Sequence, residues 1–170
     1  MRLILGPERH WRRAAALADE ADLILLRSPD TPATRVEGFN RRLELRFNDI
    51  AEPRDGLLAA TADMIAELLA FGRASAAITV LCYAGVSRST AVGYALACQA
   101  LPTGEEARLA ASLRSISPSA TPNALVVALA DTALGRQGRM SRAVAAIGRG
   151  SEAFEGPLSD WRIDGDAAGD

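Results

Sequence analysis

The chain has 170 residues, 49% of them hydrophobic and 24% charged, with a formal net charge of −2. That balance is ordinary for a globular domain and gives no bulk electrostatic case for nucleic acid or an anionic membrane. All 19 cationic residues are arginine, which excludes a lysine-dependent nucleotide loop and a Schiff-base or pyridoxal site, and one histidine leaves no multi-histidine metal centre.

The length suits one domain with a proper core, expected over residues 1–150, followed by a tail over 151–170 that docks in part or is disordered. Cys82 and Cys98 form no CxxC pair and no disulfide framework. No apolar run reads as a signal peptide or membrane span, so a cytoplasmic location is the default. The abundance of alanine and arginine points to a GC-rich bacterial genome.

In chain order, Leu3-Ile4-Leu5 reads as a short buried strand closed by Gly6-Pro7. Trp11, Ala14, Ala15 and Ala18 then recur at helical spacing, with His10 beside the helix start as a surface or capping residue. Asp22 to Leu26 is a second core strand. The proline-rich stretch from Ser28 to Asn40 is an irregular loop. Leu43, Leu45 and Phe47 alternate with Glu44 and Arg46, as in a half-buried strand, and a turn carrying Asp49 follows. Asp55 is placed to cap a helix whose stripe is Leu57, Thr61, Met64, Ile65, Leu68 and Phe71, ended by Gly72.

Ile78 to Leu81 forms the next strand and ends at Cys82. Tyr83-Ala84-Gly85-Val86-Ser87 is a loop, and Arg88-Ser89 opens an alanine-rich helix that Pro102 stops. Strand, tight loop and helix N-terminus together present backbone N–H groups to an anion. Each side chain has a role if that anion is a phosphate. The helix end and Arg88 favour the thiolate of Cys82, the nucleophilic form. Gly85 lets the loop turn without a Cβ in the way. Arg88 offers a planar fork for two phosphoryl oxygens, and Ser89 can donate to the sulfur. The alternative, a cysteine that is simply buried core, does not account for the glycine, serine and arginine beyond it.

Thr103-Gly104-Glu105-Glu106 reads as a capping box for a helix to about Arg114. Thr121 then serves as N-cap and Pro122 as first residue of a helix to Leu134, with another over Arg139–Ile147. From Gly148 the pattern fades. Phe154, Leu158 and Trp161 are available to dock on the body or on a second chain, and Asp164 to Asp170 reads as disordered.

Cys82-x5-Arg88 followed by Ser89 resembles the phosphate loop of the cysteine-dependent protein tyrosine phosphatases, closest to the small dual-specificity-like members. The resemblance spans Leu43 to Leu134 and implies an α/β fold with a small central, mostly parallel sheet flanked by helices. It also implies a phosphomonoester hydrolase in which Cys82 forms a phosphocysteine, while Arg88 and the amides of Tyr83, Ala84, Gly85, Val86 and Ser87 hold the phosphoryl oxygens. No metal or organic cofactor is then needed, and phosphate, sulfate or vanadate can occupy the loop. The family's general acid stands at a strand end about as far before the nucleophile as Asp49 lies from Cys82 here, 33 residues (82 − 49). Asp49 therefore becomes the candidate acid, beside the alternative of an aspartate that caps a turn; Asp55 and Glu52 are reserves, and Asp30 is weaker. The Pro122-Asn123 pair also looks like an element that backs the phosphate loop in this family.

Two departures stand out. Relatives carry histidine before the nucleophile, where this chain has Leu81, and often an arginine at the position of Ser117. Leucine keeps volume but loses a donor, which opens the alternative of a phosphate-binding pseudophosphatase. A rhodanese-like or arsenate-reductase-like cysteine enzyme is a further alternative, though neither explains Asp49. The loop interior has no basic side chain, unlike phosphoinositide-directed relatives, so a phosphorylated protein or another simple monoester is the expected substrate, with phosphotyrosine and dual specificity both open.

Overall fold

The computed structural model describes residues 1–18, 20–32 and 35–164. The first half of the chain runs β1 (Arg2–Pro7), α1 (Trp11–Leu17), β2 (Asp22–Arg27), β3 (Arg42–Arg46), α2 (Ala62–Arg73) and β4 (Ala77–Cys82). Helices α3 (Arg88–Ala100), α4 (Glu106–Ile116), α5 (Ala124–Ala133) and α6 (Arg139–Ile147) follow, and β5 (Ser159–Arg162) closes the described chain. The strands form one sheet in the order β3-β2-β4-β1-β5, parallel except for β5, which runs antiparallel to β1. This is the small, mostly parallel, helix-flanked sheet that the residue pattern implied. Among the described residues, no helix is long and apolar enough to cross a membrane.

Inner strands of a parallel sheet are covered on both faces, which is why the middles of β1, β2 and β4 read as mostly apolar runs. Strand periodicity sends Ile78, Val80 and Cys82 to the face covered by α2 to α5, and Leu81 to the face covered by α1. There Leu81 packs with Ile4, Leu23, Leu25, Ala14 and Ala18. Helix α3 is buried along nearly its whole length, and its small side chains let neighbouring helices approach on several sides.

The connections create the crevice. The chain leaves β1 for the α1 face and leaves the adjacent β4 for the α3 face, so a gap opens between their carboxyl ends. Such a switch point is where open α/β sheets bind ligands.

Three helix starts differ from the sequence reading. Helix α2 begins at Ala62, with Thr61 Oγ1 accepting from Met64 N at 3.3 Å, so Asp55 does not cap it. Leu57 and Leu58 stay out of the helix because both backbone groups of Leu58 are bound to Asn48: its carbonyl accepts from Asn48 N at 2.7 Å, and its N–H donates to Asn48 Oδ1 at 2.9 Å. The capping box of α4 does not form, and the helix starts at Glu106 after Glu105, with no side-chain cap. Glu106 accepts from Gly104 N at 2.9 Å, whereas Thr103 Oγ1 is taken by Arg136 at 3.0 Å. Asn123, and not Thr121, caps α5 by accepting from Val126 N at 3.0 Å, because Thr121 Oγ1 is occupied by Gly150 N at 3.1 Å.

The C-terminal stretch is more ordered than its pattern implies. Residues 159–162 add the edge strand β5, and Trp161 is buried against α4, its Nε1 donating to Ser112 Oγ at 2.9 Å. The expected disorder from residue 165 onward lies outside the described residues.

Candidate active site

Cys82 is the last residue of β4 and Arg88 the first of α3, so the intervening loop spans the switch-point crevice. Its carbonyls are turned outward and satisfied there. Ala84 O accepts from Gly156 N at 2.8 Å, Val86 O from Thr121 N at 2.9 Å, and Ser87 O from Ala91 N at 3.0 Å. The Thr90 hydroxyl reaches Val86 O and Ser87 O at 2.6 and 2.9 Å. In a trans peptide the N–H points opposite to the preceding carbonyl, so the amides of Gly85, Ser87 and Arg88 face inward. Gly85 N donates to Cys82 Sγ at 3.3 Å, in agreement with that geometry. Several N–H groups thus converge above the sulfur, the form of an anion nest.

Glycine is required at position 85. Its φ is +68°, and a Cβ there would come within 2.6 Å of the Gly6 and Pro7 backbone at the end of β1. Gly156 is required for a related reason, since a Cβ would meet Gly85 O at 2.6 Å.

Cys82 is buried, and its thiol hydrogen-bonds Ser89 Oγ at 3.2 Å. Once ionised the sulfur can only accept, and the hydroxyl is free to rotate and donate. Arg88 is 5% exposed. Its Nη1 donates to Phe47 O at 2.9 Å, which fixes the guanidinium from the end of β3, and its plane lies over the Phe47 ring at 5.9 Å. Its Nε has no hydrogen-bond partner among the described residues. A buried cationic N–H left unsatisfied beside a cavity is expensive unless a ligand supplies the acceptor.

Asp49 sits at the mouth, on the loop that the Asn48–Leu58 backbone pair closes. Its Oδ1 accepts from Ser87 Oγ at 2.7 Å and from Asn123 Nδ2 at 2.8 Å, while Oδ2 lies 4.0 Å from Arg88 Nε. Ser28, Thr31, Asp49, Cys82, Arg88 and Phe154 line a cavity of about 410 Å3, together with loop residues Tyr83, Ala84, Val86 and Ser87. The residues singled out in the sequence therefore meet at one place. Asp55, Glu52 and Asp30 do not line this cavity, nor does His10, whose Nε2 is 3.9 Å from Glu155.

Sequence reasoning missed five contributors, from three segments. Asn123 donates to Asp49 and, at 3.1 Å, to Ile50 O while capping α5, although the Pro-Asn pair had marked the place. Ser28 and Thr31 come from the proline-rich loop. Ala153 and Phe154 come from the stretch where the pattern had faded, and no local signal placed them at the mouth.

The other cysteine behaves differently. Cys98 lies toward the far end of α3, and burial pushes its thiol up to about 12.

No protein-family model and no curated protein matches the chain significantly. Among solved structures, human DUSP28, a dual-specificity phosphatase, superposes with a TM-score of 0.53 at 22% identity, covering 85% of this chain and 94% of that one. That likeness establishes the architecture, and the chain has a dual-specificity-phosphatase-like fold.

Proposed function

We propose that the protein is a metal-independent phosphomonoester hydrolase that works through a phosphocysteine, with a protein phosphotyrosine substrate or dual specificity, in the cytoplasm of a bacterium. The observation that carries this reading is that Cys82, Asp49, the phosphate-loop residues and a buried Arg88, whose Nε has no hydrogen-bond partner among the described residues, line one cavity.

The Cys82 thiolate attacks phosphorus and the bond to the ester oxygen breaks. Asp49 gives that oxygen a proton; Oδ2 is the atom to carry it, because Oδ1 already accepts two hydrogen bonds. Charge on the equatorial oxygens is held by Arg88 and the amides of Gly85, Ser87 and Arg88, which are fixed before substrate arrives and need no reorganisation. Water then attacks phosphorus, Asp49 takes its proton, and the P–S bond breaks as Ser89 donates to the departing sulfur. Leu81 contributes only packing, since its side chain lies on the opposite face of the sheet from Cys82.

The test is hydrolysis of an aryl phosphate across pH with a chelator present. Wild type turns over, Cys82→Ser does not, and Asp49→Asn loses the basic limb of the pH profile. Absence of turnover in wild type, with vanadate still bound, would sink the reading and leave a phosphate-binding module.

A further inference from the structure

Beside the phosphate cavity lies a second one of about 460 Å3, walled by Trp11, Tyr83 and Phe154 with Glu8, Arg9 and Glu155. The two cavities share Thr31, Tyr83, Ala84 and Phe154, so they meet along a common ridge. On that ridge Tyr83 is 72% and Phe154 87% exposed, the two most exposed large hydrophobic side chains among the described residues. Aromatic side chains left in water at the rim of a concave site mark a place where apolar surface is to be covered.

The ridge is fixed. The segment carrying Phe154 is tied down by Gly156 N donating to Ala84 O at 2.8 Å and by Ser151 N donating to Pro118 O at 3.0 Å. Glu155 accepts from Arg9 Nε at 2.6 Å. Trp11 is braced from outside by Arg12, whose guanidinium stacks at 4.4 Å from the ring centroid. An occupant would therefore enter a preformed slot, with little ordering cost.

Charge decides the kind of occupant. Both carboxylates that line the slot are already paired, Glu8 accepting from Arg27 Nε at 3.0 Å and Glu155 from Arg9. Among the described residues that line the slot no charge is left unpaired to reward an ionic group, and three aromatic walls favour a flat, neutral one.

Resting on the phosphatase reading above, we infer that the slot between Trp11, Tyr83 and Phe154 binds an aromatic side chain of the substrate polypeptide, next to the phosphorylated residue held in the cradle. A polypeptide suits two cavities separated by a ridge, because neighbouring side chains branch from one backbone. Tyr83 then belongs to both halves, its backbone in the phosphate loop and its ring in the wall of the neighbouring slot.

The experiment titrates the full chain calorimetrically with short peptides that carry a non-hydrolysable phosphonate in place of phosphotyrosine. Tryptophan replaces alanine at each flanking position in turn. At one position tryptophan tightens binding about tenfold. Phe154→Ala and Trp11→Ala each bring that ratio back toward one. Phe154 makes the decisive variant because so exposed a ring contributes little to folding, whereas loss of Trp11 also removes packing. A gain below about twofold at every position, or a gain that survives both substitutions, overturns the inference. Aryl phosphate turnover, measured in parallel, separates the two readings. Turnover without a tryptophan gain overturns the slot alone, a gain without turnover overturns the phosphatase alone, and neither overturns both.

Discussion

The two ends of helix α3 each gather a thiol, a guanidinium and a carboxylate, in opposite settings. At its N-terminal end Cys82, Arg88 and Asp49 surround an open cavity. Toward its C-terminal end Cys98, Arg136 and Glu106 are sealed between α3, α4 and the turn after α5. Arg88 and Arg136 both have an Nε without a hydrogen-bond partner among the described residues, but Arg88, anchored through Nη1, lines the cavity with Asp49 Oδ2 4.0 Å from its Nε. Arg136 spends both terminal nitrogens on the carbonyls of Cys98 and Leu101, Thr103 Oγ1 and Glu106. The helix dipole reinforces the contrast, since its positive end favours a thiolate and its negative end disfavours one. A cysteine, an arginine and a carboxylate therefore meet beside an open cavity at one end of the helix and in a sealed cluster at the other.

The largest expected effect tests that contrast directly. Burial holds the Cys98 thiol up at about 12, so at neutral pH it presents almost no thiolate. Iodoacetamide should place one adduct, on Cys82, and abolish aryl phosphate hydrolysis, with phosphate protecting. Peptide mapping reads the site; an adduct on Cys98 in the native protein would break the comparison.

Next in size is the sealed end itself. Burial pushes the Glu106 carboxyl up, but its own backbone amide, the Gly104 amide and Arg136 outweigh burial and hold it below the usual carboxylate range. A carboxyl lowered by folding contributes stability that is full above its unfolded pKa, about 4.3, and is lost as pH falls through the folded value. Arg136→Met leaves that buried carboxylate with only the backbone amides and Arg139 at 3.8 Å, and should cost about 3 kcal/mol in denaturant unfolding at neutral pH. Glu106→Gln should flatten the acid limb of stability. If Arg136→Met instead left the unfolding midpoint unmoved, the sealed cluster would not be what holds α4 against α3.

How far the sequence revealed all this depends on the range of each interaction. The strands β1, β2 and β4 were legible because a parallel sheet buried on both faces leaves mostly apolar runs. The phosphate loop was legible because its parts are consecutive. Strand β5 was not: Ser159-Asp160-Trp161-Arg162 has one large apolar residue and is a strand only because β1 offers it an open edge. The burial of Arg27, at the end of an apolar run, was not legible, since its partners Glu8 and Glu44 are remote in sequence and only the fold makes that burial tolerable. The rim carrying Phe154 was invisible for the same reason: it is held against the loop through backbone groups, and any sequence has those.

The smallest effect concerns Asn123, where structure and site share one side chain. Its Oδ1 caps α5 while its Nδ2 donates to Asp49 Oδ1 and Ile50 O. Asn123→Ala should lose about 1 kcal/mol as a cap. Asn123→Ser can restore the cap, because a hydroxyl oxygen serves Val126 N, yet it is too short to replace the amide at Asp49. Stability should therefore recover in the serine variant while kcat for an aryl phosphate stays below that of wild type. The loss arises because one of the two donors that orient Oδ1 is gone. A serine variant with both stability and kcat restored would reduce Asn123 to a cap. One that restored only stability would make it a positioning residue for the acid, and would join the mouth of the cavity to the helix behind it.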